Sequence, residues 1–401
     1  MTDRRTGSPW FVLVHVVLVN LAAGGIAWNH VVMLSTEIME DLGLGIGDWG
    51  TLWAGIALGV LVASVPAGSL GDRFGVRRVV ACGIALNVAS LLTRAVAGSF
   101  PWMLLAMVLF GASMAAIIAN LPKTLGLWFP LEQLGMANGI SLAGFGVGQA
   151  IAMFSTPRLL PLFASWRTLT FAVAGLMVAL LVYWMLFIRE MPADSAMPPP
   201  AGAWASFLQA FRVRDVRLVA LCHLLYFGGH LGVIGYLAAY FERLRGMTAQ
   251  TAGLVISAGS LSYIVGSILL PTLSDRLGRR KIVYIVATVV NGVAVFSEAY
   301  LLGLPLIGAS VLWGLSAGAV GLLFVVPVEM ERVGPALAGS AVGIIIGAGF
   351  LGGVLTPAIG MWLADRRPVA AFAFFAGCYL LSALLFLAVH ETGKGRSHSQ
   401  R

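Results

Sequence analysis

Charge is what this chain most lacks. Only 10% of its 401 residues are Asp, Glu, Lys or Arg, against about 25% in soluble globular proteins. With 59% hydrophobic residues and a mean hydropathy of +0.93, there is too little polar side chain to clothe a water-soluble fold. The soluble classes are excluded and an integral membrane protein remains. Cysteine is equally sparse. Cys82, Cys222 and Cys378 all fall inside apolar runs without metal-ligand spacing, so they read as small buried hydrophobes and no metal site is expected. No nucleophile–base spacing and no phosphate-cradling loop is visible, so no enzyme activity, catalytic residue or cofactor is expected. The formal charge of +8 does not point to nucleic acid, because the basic residues sit in short loops between apolar runs, which is a topology pattern.

What the sequence has in abundance is long apolar runs. A membrane helix needs about 20 apolar residues, and twelve such segments are readable, near 10–34, 49–71, 79–98, 100–121, 134–157, 165–188, 216–240, 248–272, 281–303, 305–327, 334–358 and 368–389. The first is too long for a cleavable signal. The longest connection, 189–215, contains "EMPADSAMPPPAGA" and reads as a cytoplasmic linker. It separates a six-helix half at 1–188 from a second at 216–390, followed by a polar cytoplasmic tail at 391–401. If the N-terminus is cytoplasmic, 18 of the 25 Lys and Arg residues fall on the inner side. That bias places both termini in the cytoplasm.

The halves repeat. "GSLGDRFGVRRVV" after the second span has a partner, "PTLSDRLGRRKIV", after the eighth, with Asp72 and Asp275 separated by 203 residues. Gly139 and Gly339, and Pro157 and Pro357, are each 200 residues apart. Parallel six-helix repeats imply a pseudo-two-fold axis along the membrane normal, with a translocation path between the halves. Twelve spans, a central linker and two copies of Gly-x-x-x-Asp-Arg-x-Gly-x-Arg-Arg resemble the major facilitator superfamily over nearly the whole chain. Pro271 replaces the first glycine in the second copy, and Val76 replaces a usual basic residue in the first. The resemblance implies an all-α membrane protein of two pseudo-symmetric six-helix bundles that works by alternating access. "NLPKTLGLWFPLEQLGMANGI" is similar to the segment of facilitator branches carrying cyanate, nitrate or monocarboxylates. Trp128, Phe129, Pro130, Gly135, Ala137 and Gly139 match it, and Leu134 stands where a basic residue is usual.

The duplicated loops hold Asp72, Arg73, Arg77 and Arg78, then Asp275, Arg276, Arg279 and Arg280. Positive-inside anchoring accounts for the arginines but not for the aspartates at helix ends. A carboxylate there can pair with an arginine or face a neighbouring helix N-terminus. In the family resembled, such loops latch the two halves on the cytoplasmic side. Gly139, Gly144, Gly148, Gly339, Gly343 and Gly347 recur mainly at four-residue spacing, which suits close helix packing in lipid.

Polar groups inside spans are functional candidates because they are costly there. The substrate-binding candidates are Asn20, His30, Asn120, Gln149, Tyr226, His230, Tyr263 and Trp313. His223, Tyr226 and His230 share one helix face, and His30 lies 200 residues before His230. The central parts of the first, second, seventh, eighth, tenth and eleventh spans carry no Arg or Lys to grip an anion, and Arg94, near the outer end of the third span, reads as peripheral. The expected function is secondary transport of a small organic solute, an organic anion or weak acid, across a bacterial inner membrane. The expected partners are the solute, the lipid bilayer and protons as coupling ion, with a monomeric protein and no nucleic acid. Efflux of apolar compounds, and a non-transporting sensor or scaffold on the same fold, remain open at this point.

Overall fold

The computed structural model describes residues 8–188 and 203–393. The expected loop at Arg189, most of the proline-rich connection, and the tail beyond residue 393 lie outside these residues. Among the described residues, twelve helices are long and apolar enough to cross a membrane: Pro9–Leu42, Ile46–Phe74, Val76–Val96, Phe100–Trp128, Gln133–Phe163, Trp166–Phe187, Arg214–Leu244, Ala249–Leu277, Arg280–Glu298, Gly303–Glu329, Leu337–Arg366 and Pro368–Phe386. They are called spans 1 to 12 below. Among the described residues there is no β-strand.

The motif loops show why their glycines are needed. Gly75 follows span 2 at φ 89° and Gly278 follows span 8 at φ 63°. Both have a positive φ that glycine adopts without steric penalty, and Gly278, at ψ 21°, is the left-handed cap that ends span 8. The aspartates three residues earlier therefore lie in the last turn of their helices.

Three spans depart from regular α geometry. Span 1 turns π-helical over Asn20–Ile26 and 3₁₀ over Val32–Leu34. Span 7 ends in a π-helical segment, Tyr240–Leu244, and span 10 is 3₁₀ over Gly318–Gly321. Such interruptions are frequent at functional sites.

The chain divides into two compact units, residues 1–44 with 55–196, and residues 45–54 with 197–401. In the first unit, spans 1 and 5 meet where Gly25 lies on Gly148, and spans 2 and 4 meet where Gly59 lies on Gly111. In the second unit the same two contacts recur, Gly228 on Gly352 between spans 7 and 11, and Gly266 on Gly318 between spans 8 and 10. A Cβ at any of these eight positions would strike backbone of the facing helix. Backbones this close gain dispersion contacts and Cα–H···O interactions that lipid cannot compete with. The turns at Gly45–Ala54 pack inside the second unit, where Trp49 and Trp53 donate their indole N–H to the carbonyls of Gly235 and Leu231 at 2.8 Å.

Two expectations need correction. Gly144 and Gly148 face backbone of span 1, but an added Cβ at Gly139, Gly339, Gly343 or Gly347 would meet nothing within 4 Å. Those four glycines make no close helix contact here, because four-residue spacing marks a face without choosing its neighbour. The linker 189–215 is not wholly irregular either: Ala203–Arg212 is an α-helix. Its Trp204, Phe207, Leu208 and Phe211 are exposed at i, i+3, i+4 and i+7, a stripe suited to a membrane interface.

Candidate substrate-binding residues

In the second unit the polar candidates converge on aromatic rings. The His230 imidazole stacks on Trp313 with centroids 5.1 Å apart and 28° between planes. Tyr379 joins them: its hydroxyl receives the Trp313 indole N–H at 3.4 Å and lies 3.5 Å from His230 Nδ1. Tyr226 packs edge-on to Tyr379, with centroids 5.1 Å apart, and donates to the Ala317 carbonyl at 2.9 Å. Asn291 donates toward the Tyr226 hydroxyl at 3.4 Å and the Trp313 carbonyl at 3.3 Å. Tyr263 lies at the rim, 6.4 Å from His230. Tyr226 and Trp313 are buried, whereas His230 and Tyr263 keep partial exposure. Spans 7, 8, 9, 10 and 12 thus supply one surface of stacked rings with hydrogen-bonding edges. His223 does not belong to it. Its Nδ1 bonds the Ile345 carbonyl at 2.7 Å and its ring packs against Gly349, so it ties span 7 to span 11.

In the first unit the candidates are more dispersed. Asn20 donates to Ser141 Oγ at 2.6 Å from within the π-helical stretch of span 1. Asn120 donates to the carbonyls of Ala67 and Ala116 at 3.1 and 2.8 Å. These bonds place Asn120 in the contact between spans 2 and 4, and its side chain lies against Gly71. Gln149 is buried beside Gly25. His30 is fully buried, with Nδ1 donating to the Ala27 carbonyl at 3.0 Å.

The structure also corrects the reading of Arg94 as peripheral: its side chain is fully buried. Depth along one helix locates a residue between the membrane faces. It does not tell how closely neighbouring helices surround it. Glu298 is likewise buried, with Oε1 accepting from Ser310 Oγ at 2.7 Å.

The duplicated loops make ion pairs inside their own units. Asp72 pairs with Lys123 of span 4 at 2.5 Å. Asp275 pairs with Arg280, which also pairs with Glu329 of span 10 at 2.7 Å. Arg77 donates to the Met185 carbonyl at 2.6 Å, and the Trp184 indole donates to the Arg77 carbonyl at 3.0 Å. The Arg73 guanidinium sits over Phe74, and the Arg279 carbonyl accepts from Ser274 Oγ. Arg276 borders an apolar groove with Ile268 and Thr272. The partners Lys123 and Glu329 were not singled out from sequence, since Lys123 lies 51 residues from Asp72 and Glu329 lies 49 residues from Arg280.

These pairs differ in expected weight. Asp72 and Lys123 are 51% and 36% exposed, so Asp72→Asn is expected to cost no more than about 1 kcal/mol. The Arg280 side chain is only 13% exposed and serves two carboxylates. Arg280→Gln is expected to lower the thermal unfolding midpoint clearly further, which detergent-solubilised variants measured side by side would check.

The sequence model of the Major Facilitator Superfamily matches residues 16–325 and 219–401. The chain belongs to the Major Facilitator Superfamily. This facilitator is a multi-pass integral membrane protein and a secondary transporter of small molecules, not an enzyme. It is 26% identical over 352 residues to the probable nitrate/nitrite transporter NarK2 of Mycobacterium tuberculosis, covering 83% of this chain and 84% of the relative. It is 28% identical over 391 residues to human monocarboxylate transporter 11, covering 92% and 80% of the two chains. In fold, the facilitator resembles a bacterial homologue of the human lysosomal transporter Spinster, solved inward-facing and unoccupied. That likeness has a TM-score of 0.77 at 16% identity and covers 97% of this chain and 99% of the other.

Proposed function

We propose that this facilitator moves a small anionic solute across a bacterial inner membrane by alternating access. In this reading it acts as a monomer, with both termini cytoplasmic and with protons as the coupling ion. The observation that carries the reading is the ring surface of the second unit. His230 and Tyr263, partly exposed, present ring faces and hydrogen-bonding edges backed by the buried rings of Trp313, Tyr379 and Tyr226, with no carboxylate among them. Such a surface receives a small planar solute and does not repel negative charge. The relatives named for nitrate, nitrite and monocarboxylates support the same class. Asn20, His30, Asn120 and Gln149 are the candidate polar groups of the first unit by itself. The two motif loops serve as cytoplasmic latches that break and re-form as access alternates.

Proteoliposome uptake tests this directly. Labelled nitrate, lactate and benzoate are compared with a neutral amide and an apolar cation, with and without an inward proton gradient. Saturable uptake of an anion, accelerated by the gradient, is the expected result. Transport confined to the apolar cation would replace the reading with efflux, and no transport of any solute would favour a sensor or scaffold.

A further inference from the structure

Arg94 has no role in the contacts described so far. It is fully buried, yet none of its three side-chain nitrogens has a hydrogen-bond partner in the protein. Its guanidinium lies 5.1 Å from the centroid of the Phe110 ring, and Trp28 meets the same ring edge-on at 5.9 Å. Among the described residues, no carboxylate pairs with it. The acidic side chains Asp72 and Asp41 of the first unit pair elsewhere, with Lys123 and Arg167. His30 lies on span 1, two residues beyond Trp28, and is itself fully buried. Because His30 Nδ1 donates to the Ala27 carbonyl, the other ring nitrogen is left free, and Nε2 is buried without a partner. Five N–H donors and one positive charge therefore lie beside the Phe110 ring that Trp28 meets, and a free imidazole nitrogen belongs to His30, two residues beyond Trp28 on span 1.

An unpaired buried charge is destabilising by several kcal/mol, and a guanidinium cannot shed its proton to avoid that. A group retained against such a penalty needs a partner of opposite charge for part of the working cycle. A guanidinium forks onto two coplanar oxygens. One net positive charge matches one negative charge, and the ring walls suit a thin body rather than a bulky hydrated one. The backbone carrying His30 has π-helical geometry on one side and 3₁₀ on the other, so a short stretch of span 1 can shift to admit a ligand without unwinding a regular helix.

We propose that Arg94, with His30, Trp28 and Phe110, forms a binding site for a small monovalent oxyanion in the first unit. The inference rests on the small-anion reading above and locates its charge-recognising group on span 3. Nitrate and monocarboxylates share this chemistry, and separate arms of the test distinguish them.

The test is anion binding by the full-length protein in detergent, read by calorimetry and by the thermal unfolding midpoint. Sodium nitrate and sodium lactate are titrated against a constant-ionic-strength background of sodium sulfate. At least one monovalent anion is expected to bind saturably despite the sulfate. Arg94→Gln is expected to abolish that binding. Arg94→Lys, which keeps the charge but loses the fork, is expected to weaken it about tenfold or more. Lys123→Gln, which removes a cation elsewhere in the unit, is expected to leave it unchanged.

Wild-type protein that binds neither anion overturns the proposal. So does Arg94→Gln that binds with wild-type affinity. If Arg94→Gln does not fold, Arg94→Lys decides, and an unchanged dissociation constant for it overturns the site. The two readings fail separately. Saturable binding lost in Arg94→Gln, but without wild-type anion uptake into proteoliposomes, removes the transport function and leaves the site. Anion uptake that survives Arg94→Gln removes the site and leaves the function.

Discussion

Gly148→Leu and Gly352→Leu are expected to leave little correctly folded protein in the membrane, whereas Gly139→Leu and Gly343→Leu should accumulate normally. A leucine at position 148 would drive its Cβ into the Leu21 carbonyl and the Gly25 backbone, and one at 352 would strike the Leu224 carbonyl. Overpacking a core ordinarily costs about 1–3 kcal/mol because side chains can shift. Here the obstructing atoms are backbone, so the helices themselves must separate and forfeit the whole contact. At Gly139 and Gly343 an added Cβ meets nothing within 4 Å, so the new side chain needs no rearrangement. Fluorescence-detected size exclusion of tagged variants measures this. A monodisperse, full-height peak for Gly352→Leu would show that spans 7 and 11 are not fixed by that contact.

The second large effect is expected at Trp313. The residue is only 2% exposed. It stacks on His230, donates to Tyr379 and accepts from Asn291 through its carbonyl. Its ring also faces Gly259 of span 8. Trp313→Ala empties the centre of this surface, and truncations of this size cost about 3–5 kcal/mol in protein cores. Loss of uptake with reduced thermal stability is the expected result. Trp313→Phe separates binding from folding. It keeps a ring beside His230 but deletes the N–H that Tyr379 receives, a loss of about 1 kcal/mol, or roughly fivefold in affinity. A folded Trp313→Phe protein with unaltered half-saturation would show that the Trp313–Tyr379 bond does not shape the binding surface.

The sequence revealed what depends on local physics. A run of apolar residues reports its own insertion, so all twelve spans were readable. The motif glycines at 75 and 278 were readable because a helix stop before a basic loop is a local event. Neighbours are another matter. Gly139 and Gly343 share the four-residue spacing of Gly144 and Gly148, yet only the latter pair meets another helix. Lys123 and Glu329 were missed because nothing local links them to Asp72 and Arg280. Arg94 was misjudged because two residues before a helix end looks like the periphery when adjacent helices are left out. Ala203–Arg212 was hidden by the prolines before it, which suggested a linker although the next ten residues carry a helical apolar stripe. Of the ring surface, Tyr226, His230, Tyr263 and Trp313 were named from sequence. Tyr379 was not, since a tyrosine in an apolar span gives no sign of the indole it will meet.

The glycine contacts also bear on how the protein is made. In each unit the pairing is nested: the contact of spans 2 and 4 lies within the chain segment bounded by spans 1 and 5, and that of spans 8 and 10 within the segment bounded by 7 and 11. Membrane helices insert first and associate afterwards, and synthesis delivers them in order. Gly59 finds Gly111 after only 52 intervening steps of chain, but Gly25 must wait for Gly148, 123 residues on. Until then span 1 holds its π-helical stretch, with Asn20 and two adjacent glycines, in lipid without the helix that will cover it. A chain in which span 4 has inserted and span 5 has not would therefore hold the contact of spans 2 and 4 already closed and a first helix still exposed, the form in which quality-control proteases and chaperones would meet it.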